Sequence, residues 1–386
     1  MPLPPDVLEL HDIQSGVLRP RPSPYAATYI LLRVDNRRVG RKLMGRLASV
    51  VASAAHPTSP TADTWVSVAL SHTGLKALGL PQDSLNSFSW EFQQGMRARA
   101  NALGDSGESS PERWEPPLGT SEVHVVLTAV SPTTAQLEAV LARVQETYRS
   151  VAEIKVIWRQ DCHALTTGTE PFGFKDGISH PAVDGSGIAG SNPLEEPLKA
   201  GEFVLGYPDE TGSLPPMPSP GVLGRNGTYA VFRKLHQRVA GFRQYLKESS
   251  KNHDDEELLA AKMMGRWRSG APLAMCPFHN DPTLGGDARR NNGFSYGDDP
   301  TGYKTPPGSH IRRANPRDAA VAGVVRLHRM IRRGTAYGPE LPPGVLEDDG
   351  ADRGLMFAFI GSHLGRQFEF VQSEWIEGGE FLGLGE

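Results

Sequence analysis

Apolar positions in the first 160 residues alternate between period two and period three to four, and that alternation cuts the chain into short elements. Ala27–Val34 is rich in β-branched and aromatic residues and reads as a strand. Asp35 and Asn36 offer a cap, after which Val39, Leu43, Leu47, Val50 and Val51 recur at helical spacing through Arg37–Ala55. Thr64–Leu70 reads as a second strand, Leu75–Leu80 as a short helix and Phe92–Leu103 as another. Glu122–Val130 alternates as a strand. Thr133–Tyr148 follows as an amphipathic helix with Leu137, Val140, Leu141 and Val144 inward, and Val151–Trp158 closes the set as a fourth strand. The order β-α-β-β-α-β is the split βαβ plan of a ferredoxin-like domain, whose sheet is antiparallel with helices on one face.

After residue 160 the helix and strand breakers concentrate. Gly168–Gly190, Gly206–Gly227 and Phe278–Pro307 are long loops, and structureless stretches of that length inside a folded domain are commonly functional. Between and beyond them, Tyr229–Phe232, Ala319–Met330 and Gly354–Ile360 read as strands, and Leu235–Lys247 and Leu364–Gln372 as helices. The second half can therefore repeat the plan of the first, with a boundary near Gln160–Gly168. The expected fold class is α+β: two ferredoxin-like (βαββαβ) domains, residues 1–162 and 163–386, with antiparallel sheets and long loop insertions.

Composition narrows the function. Glycine and proline make up about a fifth of the 386 residues, which excludes a coiled coil or helical bundle. A net charge of −4 argues against a general nucleic-acid binder, which needs a basic face. Cys162 and Cys276 stand far apart in no metal-binding spacing and read as free thiols. The N-terminus shows no basic region followed by an apolar core, and no run of 18 apolar residues occurs. The expectation is a protein of the cytoplasm, without nucleic-acid or membrane partners.

Three segments concentrate chemistry. In Phe172–Pro181, glycines flank Asp176 and allow close backbone approach to a ligand; the bland alternative is an Asx-turn. In Gly308–Asp318, His310 precedes Arg312, Arg313 and Arg317, a pattern suited to a metal and a multiply anionic ligand, or else to a solvated basic turn. In Arg329–Gly338, period-two alternation sends Arg332 and Arg333 to opposite faces, so one of them points inward and needs a partner.

Taken together these segments resemble the dye-decolorizing (DyP-type) peroxidases, a haem family built of two ferredoxin-like domains. The GxxDG signature stands as Gly173–Gly177, the His-Ile-Arg-Arg-x-Asn-Pro-Arg segment as His310–Arg317, and the Arg-x-Gly-x-x-Tyr-Gly stretch as Arg332–Gly338. Further likeness runs through Gly265–Gly270, Gly354–Phe357 and Arg366–Phe370, covering most of the chain from about residue 170. Thr305 and Pro306 stand where many relatives carry Cys-Pro. The resemblance implies one haem b per chain in the C-terminal domain. It makes His310 the axial iron ligand, and Asp176 and Arg332 the pair on the opposite face, where they also bound the cofactor pocket. Arg312 and Arg313 are expected to meet the haem propionates. Glu369, or else Asp352, is expected to accept the second N–H of His310. Leu355 and Phe357, two apart on one strand, are expected to border the same pocket, with core packing as the alternative.

The implied reaction is reduction of hydrogen peroxide through a high-valent iron-oxo intermediate, followed by oxidation of a dye, phenol or similar small organic donor. Asp176 would move the peroxide proton and Arg332 would face the departing oxygen. A carboxylate shuttle, with a reference pKa near 3.9, implies an acidic optimum. Electrons from bulky donors could enter through Trp114, Trp158, Trp375 or Tyr337. Two other readings stay open on sequence: a haem-handling protein that stores haem or releases its iron, and a haem-free ferredoxin-like binding module. The oligomeric state is not legible.

Overall fold

The computed structural model describes residues 7–55, 63–319 and 324–378. Its first sheet contains β1 (Ala26–Val34), β2 (Trp65–Leu70), β3 (Val125–Ser131) and β4 (Ile154–His163). The spatial order is β2-β3-β1-β4 and every pairing is antiparallel, which is the ferredoxin-like arrangement. Ile30, Leu32 and Val34 of β1 point to one face, where they pack with Val125 and Leu127 against Leu43, Leu47, Leu137 and Leu141 of two helices. Those helices begin where capping chemistry begins. The Asn36 side chain accepts from the Arg38 and Val39 amides ahead of Arg37–Ala48, and Thr133 accepts from the Gln136 amide ahead of Thr134–Glu146.

The alternate β1 residues, Ala27 and Tyr29, face the other way and meet a second sheet. It contains β5 (Tyr229–His236), β6 (Ile331–Arg332), β7 (Thr335–Tyr337) and β8 (Gly354–Gly361). Strand β8 is central, with β5 on one side and β6 and β7 on the other, all antiparallel. Met356 of β8 and Tyr337 of β7 share a buried cluster with Tyr29, Trp65 and Cys162 of the first sheet, so the two sheets pack face to face. Leu355, Phe357 and Phe359 necessarily project to the far face of β8. Arg332 pairs with Phe359, so it shares that far face, while Arg333 lies on the inter-sheet side.

Several expected elements differ. The helix expected over Phe92–Leu103 is broken at Gly95, whose φ of 76° ends Trp90–Gln94 and starts a tighter 3₁₀ stretch, Met96–Leu103. Tyr229–Phe232 extends to His236, because Lys234 and His236 find Asp352 across the sheet edge. The strand expected over Ala319–Met330 is absent from its described part, where Val325–His328 forms a single 3₁₀ turn; residues 320–323 lie outside the described residues. A helix at His253–Met264 goes beyond the sequence expectation; Asn252 caps it and Asp254, Asp255 and Glu256 favour its first turn. The final segment is helical from Leu364 to Ile376, with π-type wide turns. Among the described residues no helix is long and apolar enough to cross a membrane.

Candidate active site

His310 opens the five-residue helix His310–Ala314. Ser309, Arg312 and Arg313 around it are buried, whereas the His310 side chain is accessible. Enclosure nevertheless pushes its imidazole down to about 4; the Arg332 charge adds to the depression and Asp176 opposes it. Accessibility and desolvation agree only if the ring borders an internal hollow rather than open solvent. Neither ring nitrogen has a hydrogen-bond partner among the described residues. A neutral, unencumbered imidazole is the form that ligates a metal.

The far face of the second sheet carries Arg332, and a loop carries Asp176. Arg332 is half-buried and makes no side-chain hydrogen bond or ion pair among the described residues. Its charge is felt at His310, His180, Arg266 and Arg329, lowering each. Asp176 sits in a loop where Gly173 adopts φ 95°, and a Cβ there would meet Arg268 Nη1 at 2.5 Å, so only glycine fits. Its carboxylate accepts from Arg21 Nη2 at 3.1 Å rather than from Arg332. Asp176 and Leu355 border one cavity of about 280 Å³, together with Arg21, Tyr25 and Glu170. Phe357 instead packs near Phe368, ring centroids 6.2 Å apart, at the edge of a core cluster. A larger cavity of about 650 Å³ lies between the sheets behind Arg333, and His310, Asp176 and Arg332 do not line it. Size alone therefore misplaces the chemistry.

Four other expected residues are engaged by protein groups. Arg312 is 1% exposed, bonded to Asp299 Oδ2 at 3.2 Å, to the Thr305 and Asp299 carbonyls, and stacked on Tyr296. Arg313 is also committed, donating to the carbonyls of Trp375, Ile376 and Gly378. Both arginines pin the His310 helix in place. Arg312→Leu should therefore cost about 3–5 kcal/mol in denaturant unfolding, because it strands a buried carboxylate, and adding Asp299→Leu should recover most of that loss. Glu369 is taken by Arg99, with both oxygens engaged at 2.9 and 2.5 Å. Asp352 is taken by Lys234 and by the Tyr337 hydroxyl on the opposite side of the sheet. No hydrogen bond joins either carboxylate to His310.

The aromatic candidates are more enclosed than expected. Trp375 and Tyr337 are buried at 4% and 1% exposure. Trp158 and Trp114 are half-buried, their indole N–H groups donating to Glu115 Oε1 at 2.7 Å and to the Ser109 carbonyl at 2.8 Å.

The inward arginine anticipated in the Arg329–Gly338 stretch is Arg333. It is 7% exposed, donates to the Gly16 and Val17 carbonyls of the first half, and has its pKa pushed down to about 9 by burial. Arg266 and Arg317 are likewise held by carbonyls and by Asn292. Arg266, Arg317, Arg332 and Arg333 thus carry charge into the second half with no carboxylate partner among the described residues. An interior that holds a free imidazole and uncompensated cations fits an iron porphyrin bearing two carboxylates.

Comparison with known proteins agrees. Residues 41–162 match the family model of the DyP dimeric alpha+beta barrel domain. A dye-decolorizing peroxidase of Mycena epipterygia is 32% identical, the alignment covering 98% of this chain and 73% of that protein. A second, msp1 of Mycetinis scorodonius, is 31% identical over 90% of this chain and 69% of its own. The solved structure of a dye-decolorizing peroxidase in complex with 2,6-dimethoxyphenol superposes with a TM-score of 0.85 at 28% identity, covering 97% of this chain and 86% of that one. Fold, site and relatives converge: the chain belongs to the dye-decolorizing peroxidases, haem enzymes that use peroxide as oxidant.

Proposed function

We infer that this peroxidase works through His310 as iron ligand and through Asp176 and Arg332 as the pair that handles peroxide. The observation that carries the reading is the His310 imidazole, without a hydrogen bond among the described residues and lying in the field of Arg332 and Asp176. Haem, when bound, supplies the redox-active iron at which the O–O bond of peroxide breaks. The chain supplies the proton handling and the charge. Asp176, on a loop beside a cavity, takes a proton from one peroxide oxygen and returns it to the other, which leaves as water. Arg332 holds positive charge where the leaving oxygen becomes negative, and it needs no reorganisation because no other group among the described residues occupies it. Two electrons and two protons, one of each from each of two phenolic donors, complete the reduction of peroxide to two waters. Leu355, beside Asp176, restricts what enters. A protein that only stored haem or released its iron would need His310 but would leave the Asp176–Arg332 pair idle.

The donor class we assign is phenolic or dye-like, by analogy with the phenol bound in one relative. The free thiols of Cys162 and Cys276 are compatible with the reducing cytoplasm. The deciding experiment is an absorption spectrum of the purified protein, followed by peroxide-dependent oxidation of 2,6-dimethoxyphenol. A Soret band with rapid turnover is expected, faster at acidic than at neutral pH. A Soret band without turnover would leave haem storage as the better reading.

A further inference from the structure

The catalytic carboxylate assigned above is held from the other half of the molecule. Arg21 lies just before β1 and donates Nη2 to Asp176 Oδ2 at 3.1 Å, the only partner of that carboxylate among the described residues. Its Nε donates to the Gly334 carbonyl at 2.9 Å, and its guanidinium lies 4.1 Å over the Tyr25 ring. The Tyr25 hydroxyl accepts from the Ala336 amide at 2.7 Å. Arg21 and Tyr25 therefore form a clip on the turn that follows Arg332, while Arg21 keeps one donor on Asp176. Clip, Asp176 and Leu355 border the same 280 Å³ cavity. The other acid in that cavity, Glu170, is spent on the Phe172 and Phe174 amides and on Gln237.

Arg21 is thus bonded to the carboxylate, while Arg332 has no side-chain partner among the described residues. Asp176 and Arg332 act with opposite sign on the same two imidazoles, His310 and His180, so they belong to one region and attract each other; a paired Asp176–Arg332 would be useless on both counts. The carboxylate would lose a lone pair needed for the proton, and the guanidinium would be neutralised before charge develops on the leaving oxygen. We propose that Arg21 is a positioning residue for the peroxide reaction, holding Asp176 at the cavity mouth so that it does not collapse onto Arg332. The first half, which carries none of the cofactor motifs, thereby completes the site. The proposal rests on the Asp176 reading given above.

The test uses haem-loaded Arg21→Ala, Arg21→Gln and Arg21→Lys, with Asp176→Asn alongside. Two quantities are read across pH: kcat/KM for peroxide, and the association rate of hydrogen cyanide, which also gives up a proton on binding but involves no turnover. The Asp176 charge also reaches His180, His310, Glu170 and Tyr25, and Arg332 acts on the same two histidines, so the comparison with Asp176→Asn isolates its share. In Arg21→Ala and Arg21→Gln both rates should fall about tenfold or more, toward the Asp176→Asn values, with the KM for the donor unchanged. Arg21→Lys should restore most of each. Arg21→Gln keeps a donor for the Gly334 carbonyl without the charge, so it separates the clip from the ion pair if the alanine variant folds poorly. Rates unchanged in Arg21→Gln while Asp176→Asn collapses would overturn the role of Arg21 alone. Rates unchanged in Asp176→Asn would instead remove the reading of Asp176 as base.

Discussion

Replacing His310 by glycine should remove the Soret band of the purified protein and its peroxide-dependent dye oxidation together. The His310 ring makes no hydrogen bond among the described residues, so with haem removed from both proteins its loss should barely shift the unfolding midpoint. That separates a ligand from a structural histidine. Among the described residues no cluster of His, Cys, Asp and Glu offers a second metal site. The nearby imidazole of His180 is no substitute: burial and the Arg333 charge push it down to about 3, and its Nδ1 lies 3.4 Å from Arg333 Nη1. Free imidazole added to His310→Gly should restore part of both the band and the activity. Haem retention at wild-type level in this variant would refute the assignment of His310.

The second large effect concerns the pair across the site. Arg332→Leu should lower kcat/KM for peroxide about 10²–10³-fold, the usual consequence of removing a preorganised charge from a developing anion. Asp176→Asn should cost about 10²–10⁴-fold, the range for loss of a general acid–base. The two should differ in shape as well as size. In the proposed roles Arg332 would act by fixed charge, so its variant should keep the wild-type pH profile at reduced height. Asp176 would act by carrying a proton, so its variant should change the shape of the profile. Steady-state kinetics at saturating donor would measure both, and identical profiles in the two variants would contradict the division of roles.

Much of the fold is legible in the pattern of side chains. β1, β3 and the helices Arg37–Ala48 and Thr134–Glu146 follow from alternation, helical spacing and caps, because these signals lie within a few residues of each other. The break at Gly95 and the loss of a strand near Ala319–Met330 were hidden, since apolar content alone does not separate a strand from a packed turn. Arg312 shows the same limit within the site. Its motif advertises charge for a ligand, yet Asp299, thirteen residues upstream in a long loop, claims it.

The α+β plan, the family and the chemical types at Asp176, His310 and Arg332 are legible along the chain, because all of these reside in local pattern and short motifs. Which charges find partners emerges only on folding. Arg312, Arg313, Glu369 and Asp352 are spent on partners seven or more residues away in sequence, and Arg332 is left without one among the described residues. Arg21 joins the site from 155 positions before Asp176, with no motif to mark it. A side chain's charge is written in the sequence; whether that charge is neutralised depends on which distant groups the folded chain brings within hydrogen-bond reach.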